Sequence, residues 1–185
     1  MIYVIDHEDS FTYNLVHLLE GFGPTYVSNY YDINWRQLKK SKIIIFSPGP
    51  GNPSNYPETQ KKYNKYKGKK KIIGICLGFQ QILYAENAHI VPQKKIYHGY
   101  QSRVKALKES TLFKPNKVFL AGRYHSLKLK EPFNSLSLKI TMRCVESNVA
   151  MAIEDTINNV YGFQFHPDSF LTVDGKFLIQ KVLQF

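Results

Sequence analysis

The chain has 185 residues, a length that fits one domain spanning residues 1–185, and its 43% hydrophobic and 21% charged residues exclude disorder, collagen and repeat arrays. The formal net charge of +11 speaks to solubility and steering rather than to fold. No stretch reaches the roughly 18 apolar residues of a membrane span, and Asp6, Glu8 and Asp9 stand where a secretory leader needs an apolar core.

In chain order, Ile2 to Asp6 (IYVID) reads as a buried strand. Asp9 and Ser10 are helix-capping types, and Phe11, Leu15, Leu18, Leu19 and Phe22 then share one face of an amphipathic helix that Gly21 and Gly23 end. Thr25 to Ser28 and Ile43 to Phe46 are the next strands. Pro57 to Tyr66 reads as a helix with proline in its first turn. Lys71 to Cys76 is a fourth apolar strand, followed by a helix over Phe79 to Glu86. Strands alternating with helices imply an open, mostly parallel α/β sheet with helices on both faces. Beyond Ala88 the pattern shifts to short strands at Ile90 to Val91, Ser102 to Leu107, Val118 to Leu120, Ser135 to Met142, Val149 to Ile153 and Tyr161 to Phe165. Their period of two suggests antiparallel additions to the main sheet. A last amphipathic helix is expected over Lys176 to Leu183.

Seven lysines fall between Lys61 and Lys71, interleaved with Tyr63 and Tyr66. The run reads as a solvated helix face entering a lysine-rich turn. No RNA-recognition, zinc-finger or helix-turn-helix pattern accompanies it, so neither a nucleic-acid nor a membrane partner is expected. Two cysteines are too few for a disulfide framework, which points to reduced thiols and a cytoplasmic protein. Cys144, in MRCVES, lacks an acid–base neighbour and reads as structural. Trp35 and most tyrosines read as packing residues. His7, His17 and His89 lack metal-ligand spacing, so no metal site is expected, nor any cofactor.

Three segments carry chemistry. In GICLGFQ (Gly74 to Gln80), Cys76 ends a strand just before a helix, a tight turn that projects a nucleophile and needs small neighbours. The helix N-terminus favours thiolate and offers free N–H groups. In GFQFHPDSF (Gly162 to Phe170), His166 ends another apolar strand and Asp168 follows across Pro167. Sites in open parallel sheets gather at the carboxyl ends of strands, so Cys76, His166 and Asp168 can meet as nucleophile, proton carrier and orienting carboxylate. In SPGPGNP (Ser47 to Pro53), a rigid loop brings backbone close to a ligand, and a glycine N–H with the Leu77 N–H can hold an oxyanion.

Together with DSFTYN (Asp9 to Asn14) and RYHSL (Arg123 to Leu127), these segments resemble the class I, or triad, glutamine amidotransferases, in order and spacing across nearly the whole chain. DSFTYN and RYHSL resemble the chorismate-linked branch, component II of anthranilate synthase or of aminodeoxychorismate synthase, and SPGPG leans to the anthranilate side. The resemblance implies a flavodoxin-like core and hydrolysis of the glutamine side-chain amide. It implies Cys76, His166 and Asp168 as the triad, and Gly51 and Leu77 as the oxyanion hole. It implies Gly49, Pro50, Gly51, Gln80, Ser126 and Leu127 as glutamine contacts. A chorismate-binding synthase subunit is the implied partner, with His98-Gly99 in a loop turned towards it. Two positions depart from the family: Asp168 stands where Glu is usual, and Phe79 where His is usual. These departures motivate an alternative, a degenerate scaffold that binds the synthase without hydrolysing glutamine.

Overall fold

The computed structural model describes residues 1–184. Five strands form the parallel part of a nine-stranded sheet: β1 (Ile2–Asp6), β2 (Thr25–Asn29), β3 (Ile43–Phe46), β4 (Lys71–Ile75) and, far later in the chain, β11 (Val160–Phe163). Between β4 and β11 the chain makes β5 (Ile90–Pro92), β6 (Tyr100–Ala106), β7 (Val118–Arg123), β8 (Leu127–Leu129), β9 (Lys139–Cys144) and β10 (Ala150–Asp155). The sheet order is β2-β1-β3-β4-β11-β10-β9-β6-β7, antiparallel from β11 outward, while β5 and β8 pair separately. The parallel half has the flavodoxin-like order, with antiparallel additions on one side, as the pattern change near Ala88 predicts.

The helices are α1 (Thr12–Leu19), α2 (Trp35–Lys40), α3 (Pro57–Tyr66), α4 (Leu77–Ala85) and α5 (Gly175–Gln184). β1 shows why both faces are covered. Ile2 and Val4 enter one core with Leu15 and Leu19 of α1 and Leu178 and Val182 of α5, while Tyr3 and Ile5 enter the other with Leu38, Tyr63, Phe79 and Ile82. A strand buried on both sides reads as a continuous apolar run, which is the reason IYVID, IIIF and KIIGI stand out in the sequence.

Local differences have local causes. Helix α1 starts at Thr12 without a side-chain cap; Asp9 instead closes the preceding turn, its Oδ1 accepting from the Phe11 N–H at 2.8 Å. Helix α4 starts at Leu77, immediately after Cys76. The strand expected over Ser135 to Met142 forms at Lys139–Cys144, because Ser137 turns its hydroxyl to Asp155 (2.6 Å) and Leu136 is left fully exposed. The lysine run is only partly a solvated face: Lys71 is buried, its ammonium donating to Val182 O (2.6 Å) and Leu183 O (3.2 Å) at the last turn of α5, where a cation offsets the helix dipole. Trp35 is half exposed, with the ammonium groups of Lys62 and Lys65 over its ring. Among the described residues, no helix is long and apolar enough to cross a membrane.

Candidate active site

Cys76 joins β4 to α4 with φ +52° and ψ −99°, a conformation that residues with a side chain rarely adopt. Its strain is held by close packing around it. A Cβ on Gly78 would stand 2.2 Å from Phe46 O, and one on Gly74 would stand 2.4 Å from the Gly78 carbonyl, so α4 lies directly against the ends of β3 and β4 only because both are glycine. The Cys76 N–H donates to Phe163 O (2.8 Å), tying the elbow to β11. The Leu77 N–H opens the helix, where amides have no intrahelical acceptor.

β11 runs parallel beside β4 and delivers Gln164 and His166 to the same end of the sheet. Gln164 is fully buried; its amide donates to Cys76 Sγ at 3.8 Å, and its carbonyl accepts from Gln80 Nε2 at 3.1 Å. His166 is anchored by its own N–H on Gly122 O (3.0 Å) and by the Thr172 hydroxyl on its carbonyl (2.5 Å). Its ring lies edge-on to Phe11 and Tyr124, at centroid distances of 4.8 and 5.0 Å. Phe11 belongs to DSFTYN and Tyr124 to RYHSL, so both segments meet the histidine in space.

His166 Nδ1 lies 3.6 Å from Asp168 Oδ2, and the Asp168 side chain is fully buried. That separation exceeds a hydrogen bond, and among the described residues neither ring nitrogen nor either carboxylate oxygen has a hydrogen-bond partner. His166 and Asp168 thus stand side by side without closing a hydrogen-bonded relay. Burial opposes the imidazolium, but the negative charges of Cys76 and Asp168 outweigh it and raise His166 to about 10.

In front of Cys76 opens a cavity of about 160 Å³ walled by Gly49, Pro50, Gly51, Leu77, Gln80, Ser126 and Leu127 together with Tyr124 and His125. Every residue that the sequence assigns to glutamine or to the oxyanion hole is in this wall. Larger hollows, such as the one of about 330 Å³ between residues 86–89 and 130–134, hold no cysteine. The sequence reading missed Tyr124, His125 and Gln164, although each sits inside a segment it singled out. His125 is held neutral: burial and the adjacent Arg123 cation lower it to about 3, with Arg123 Nε donating to its Nε2 at 3.1 Å. The His98-Gly99 turn packs on this wall, with the Gly99 N–H on Arg123 O (3.1 Å) and the His98 ring edge-on to Tyr124. Phe79, completely buried, packs into the core with Ile82 and Ile153 and does not line the cavity.

The loop carrying Gly49 to Gly51 is braced from behind. His7 is buried, donates its N–H to Ser47 Oγ (2.9 Å), and pairs its ring with Ser47 (3.2 Å) and Thr59 (3.0 Å). Burial lowers it to about 3, so it is neutral and takes part as a spacer rather than as a charge. Among the described residues, no group of three or more His, Cys, Asp or Glu could hold a metal ion.

The family model for glutamine amidotransferase class-I matches residues 3–184. The chain belongs to the class I glutamine amidotransferases. Among amidotransferase relatives, it is 36% identical to anthranilate synthase component 2 of Lactococcus lactis subsp. lactis, over 97% of this chain and 92% of that protein. It is 38% identical to anthranilate synthase component 2 of Pyropia yezoensis over the full length of both. The amidotransferase fold superimposes on the crystal structure of a glutamine amidotransferase from Thermotoga maritima, with a TM-score of 0.70 at 15% identity, covering 90% of this chain and 75% of that one.

Proposed function

We propose that the chain is a single amidotransferase domain that hydrolyses the side-chain amide of glutamine and supplies the ammonia to a chorismate-using synthase subunit, for anthranilate or 4-amino-4-deoxychorismate synthesis. In this reading the Cys76 thiolate attacks the amide carbon, and the carbonyl electron pair moves to an oxygen received by the Gly51 and Leu77 N–H groups. His166, held as the imidazolium, gives its proton to the departing nitrogen. The C–N bond breaks, ammonia leaves, and a glutamyl thioester remains on Cys76. His166 then takes a proton from water, which attacks the thioester and releases glutamate. Asp168 orients the imidazole across its 3.6 Å gap. Gly49, Pro50, Gln80, Ser126 and Leu127 hold the substrate.

The observation that carries this reading is the strained Cys76 elbow opening into a small cavity whose wall contains the whole set of expected glutamine contacts. The synthase role draws on the relatives named component 2. It also draws on the His98-Gly99 turn, which reaches the His166 ring through Tyr124. Covalent labelling with a diazo-ketone analogue of glutamine, followed by peptide mass spectrometry, tests the nucleophile. One adduct on Cys76, blocked by excess glutamine, is expected; an adduct on Cys144 sinks the assignment. Reconstitution with each chorismate-using synthase subunit then tests the branch, which fails if neither yields glutamine-dependent product.

The open gap between His166 and Asp168 favours one second reading, a scaffold subunit without glutaminase activity. It predicts a normal complex with the synthase, product from free ammonia, and none from glutamine.

A further inference from the structure

The Gly51 N–H belongs to the same peptide unit as the Pro50 carbonyl, and in a planar trans peptide the two point in opposite directions. Tyr56 Oη donates to Pro50 O at 2.9 Å. Pro50 and Gly51 wall the cavity in front of Cys76, whereas Tyr56 does not. The carbonyl is therefore drawn back towards the Tyr56 ring, which turns the Gly51 N–H to the other side. Among the described residues this N–H has no acceptor of its own. Among the described residues no other hydrogen bond holds this peptide unit, and Gly51, at φ +77°, is a residue that moves between backbone wells at little cost.

The local sequence explains how Tyr56 returns to Pro50. In NPSNYP, Asn52 Oδ1 accepts from the Ser54 N–H and Asn55 Oδ1 from the Asn52 N–H, closing a single tight turn over Pro53–Asn55. Pro57 then starts α3, so Tyr56 is clamped between two turns. Its ring, only 6% exposed, is gripped edge-on by His7 and Tyr30 at centroid distances of 5.0 and 4.9 Å. The hydroxyl is thus delivered by a rigid support rather than by a mobile side chain.

We propose that Tyr56 is a positioning residue for the oxyanion hole, its hydroxyl locking the Pro50–Gly51 peptide so that the Gly51 N–H faces the tetrahedral intermediate. A hydrogen bond on the carbonyl also polarises the amide and strengthens the N–H at its other end. The role rests on the glutaminase reading above. It concerns an interaction that matters in the transition state, so it belongs in kcat rather than in KM.

The test is Tyr56→Phe in the full chain with the synthase subunit bound, since phenylalanine keeps the ring packing and removes the donor. Loosening one oxyanion donor, short of the 10²–10³-fold effect of deleting one, is expected to lower kcat for glutamine hydrolysis by about tenfold with KM within about twofold. Glutamate γ-semialdehyde supplies a second readout. Its aldehyde adds to Cys76 as a thiohemiacetal, the sulfur–carbon bond forming while the carbonyl electrons pass to the oxygen in the hole. Its affinity should fall by about the same factor as kcat, while glutamine binding, measured in a Cys76→Ala background, stays unchanged. Unchanged kcat and aldehyde affinity overturn the proposal, as does an equal loss of glutamine and aldehyde binding. A collapsed thermal midpoint assigns the hydroxyl to the fold and overturns it too. A wild-type complex that neither hydrolyses glutamine nor binds the aldehyde removes the glutaminase reading, and the positioning role with it.

Discussion

At the scale of single residues, the charge state of His166 is set by its neighbours rather than by its burial. Burial alone would drive the ring neutral, and Cys76 and Asp168 reverse that. Removing the sulfur with Cys76→Ala should therefore lower the imidazole from about 10 by on the order of a unit or more, followed by NMR of the ring carbons through a pH titration. A ring unmoved by that substitution would mean the thiolate is not its counter-charge. The raised value also has a sign for stability. The contribution is fully present below the ordinary histidine range near 6.5 and is lost as pH rises through about 10. Asp168 couples more loosely, across 3.6 Å without a hydrogen bond. Where such a carboxylate is tightly bonded, its loss lowers kcat by roughly 10⁴-fold; here Asp168→Ala should lower glutamine-dependent kcat by about 10²-fold, measured with the synthase present. A loss as large as that of Cys76→Ala would show that the gap closes in the working complex.

At the scale of elements, the site is placed by the seating of α4 on β3 and β4. Gly78→Ala puts a methyl 2.2 Å from a backbone oxygen that cannot yield cheaply. It should destabilise the fold by about 3 kcal/mol or more, read as a lowered urea midpoint, and glutaminase activity should fall with it because the Leu77 amide moves. An unchanged midpoint would mean that α4 slides freely over the sheet. Elements with a strong local signal were legible in the sequence: the apolar runs IYVID and IIIF, and the helix Pro57–Tyr66 marked by its opening proline, fall where the pattern puts them. Helix α2 was not, because its six residues bury only Leu38 and are started by the Asn34 side chain, which leaves no periodic stripe to read. The same limit applies to β8, three residues paired only with β5. Around the site, the motifs marked the backbone positions, but the partners arrive through space. Phe11 reaches His166 across 155 positions of sequence, and no local spacing announces such a contact. Tyr56 is six residues from Pro50, yet its approach depends on a turn whose closure the two asparagine side chains decide.

At the scale of the whole molecule, two buried neutral histidines make the fold acid-sensitive. His7 and His125 are both lowered to about 3, so between that value and about 6.5 the unfolded chain binds protons that the folded chain refuses. Their contribution is complete above this window and is lost as pH falls through it, by about 1.4 kcal/mol per pH unit for each group. The slope of unfolding free energy against pH, from denaturant melts between about pH 4 and 6, should drop by about that amount in His7→Gln. An unaltered slope would mean that His7 charges freely in the native state. The sheet order carries a different consequence, one concerning biosynthesis. The first four parallel strands are complete at Ile75, but the neighbour of β4 on its open side is β11, which begins at Val160. For as long as the ribosome is making the intervening segment, KIIGI is a bare apolar edge, the kind that invites wrong pairing and that chaperones cover. The Cys76 elbow, whose N–H bonds Phe163 O, likewise lacks its support until β11 has emerged. A polypeptide cut short before β11 therefore lacks the support of its Cys76 elbow, and on the proposed glutaminase reading it can release no ammonia.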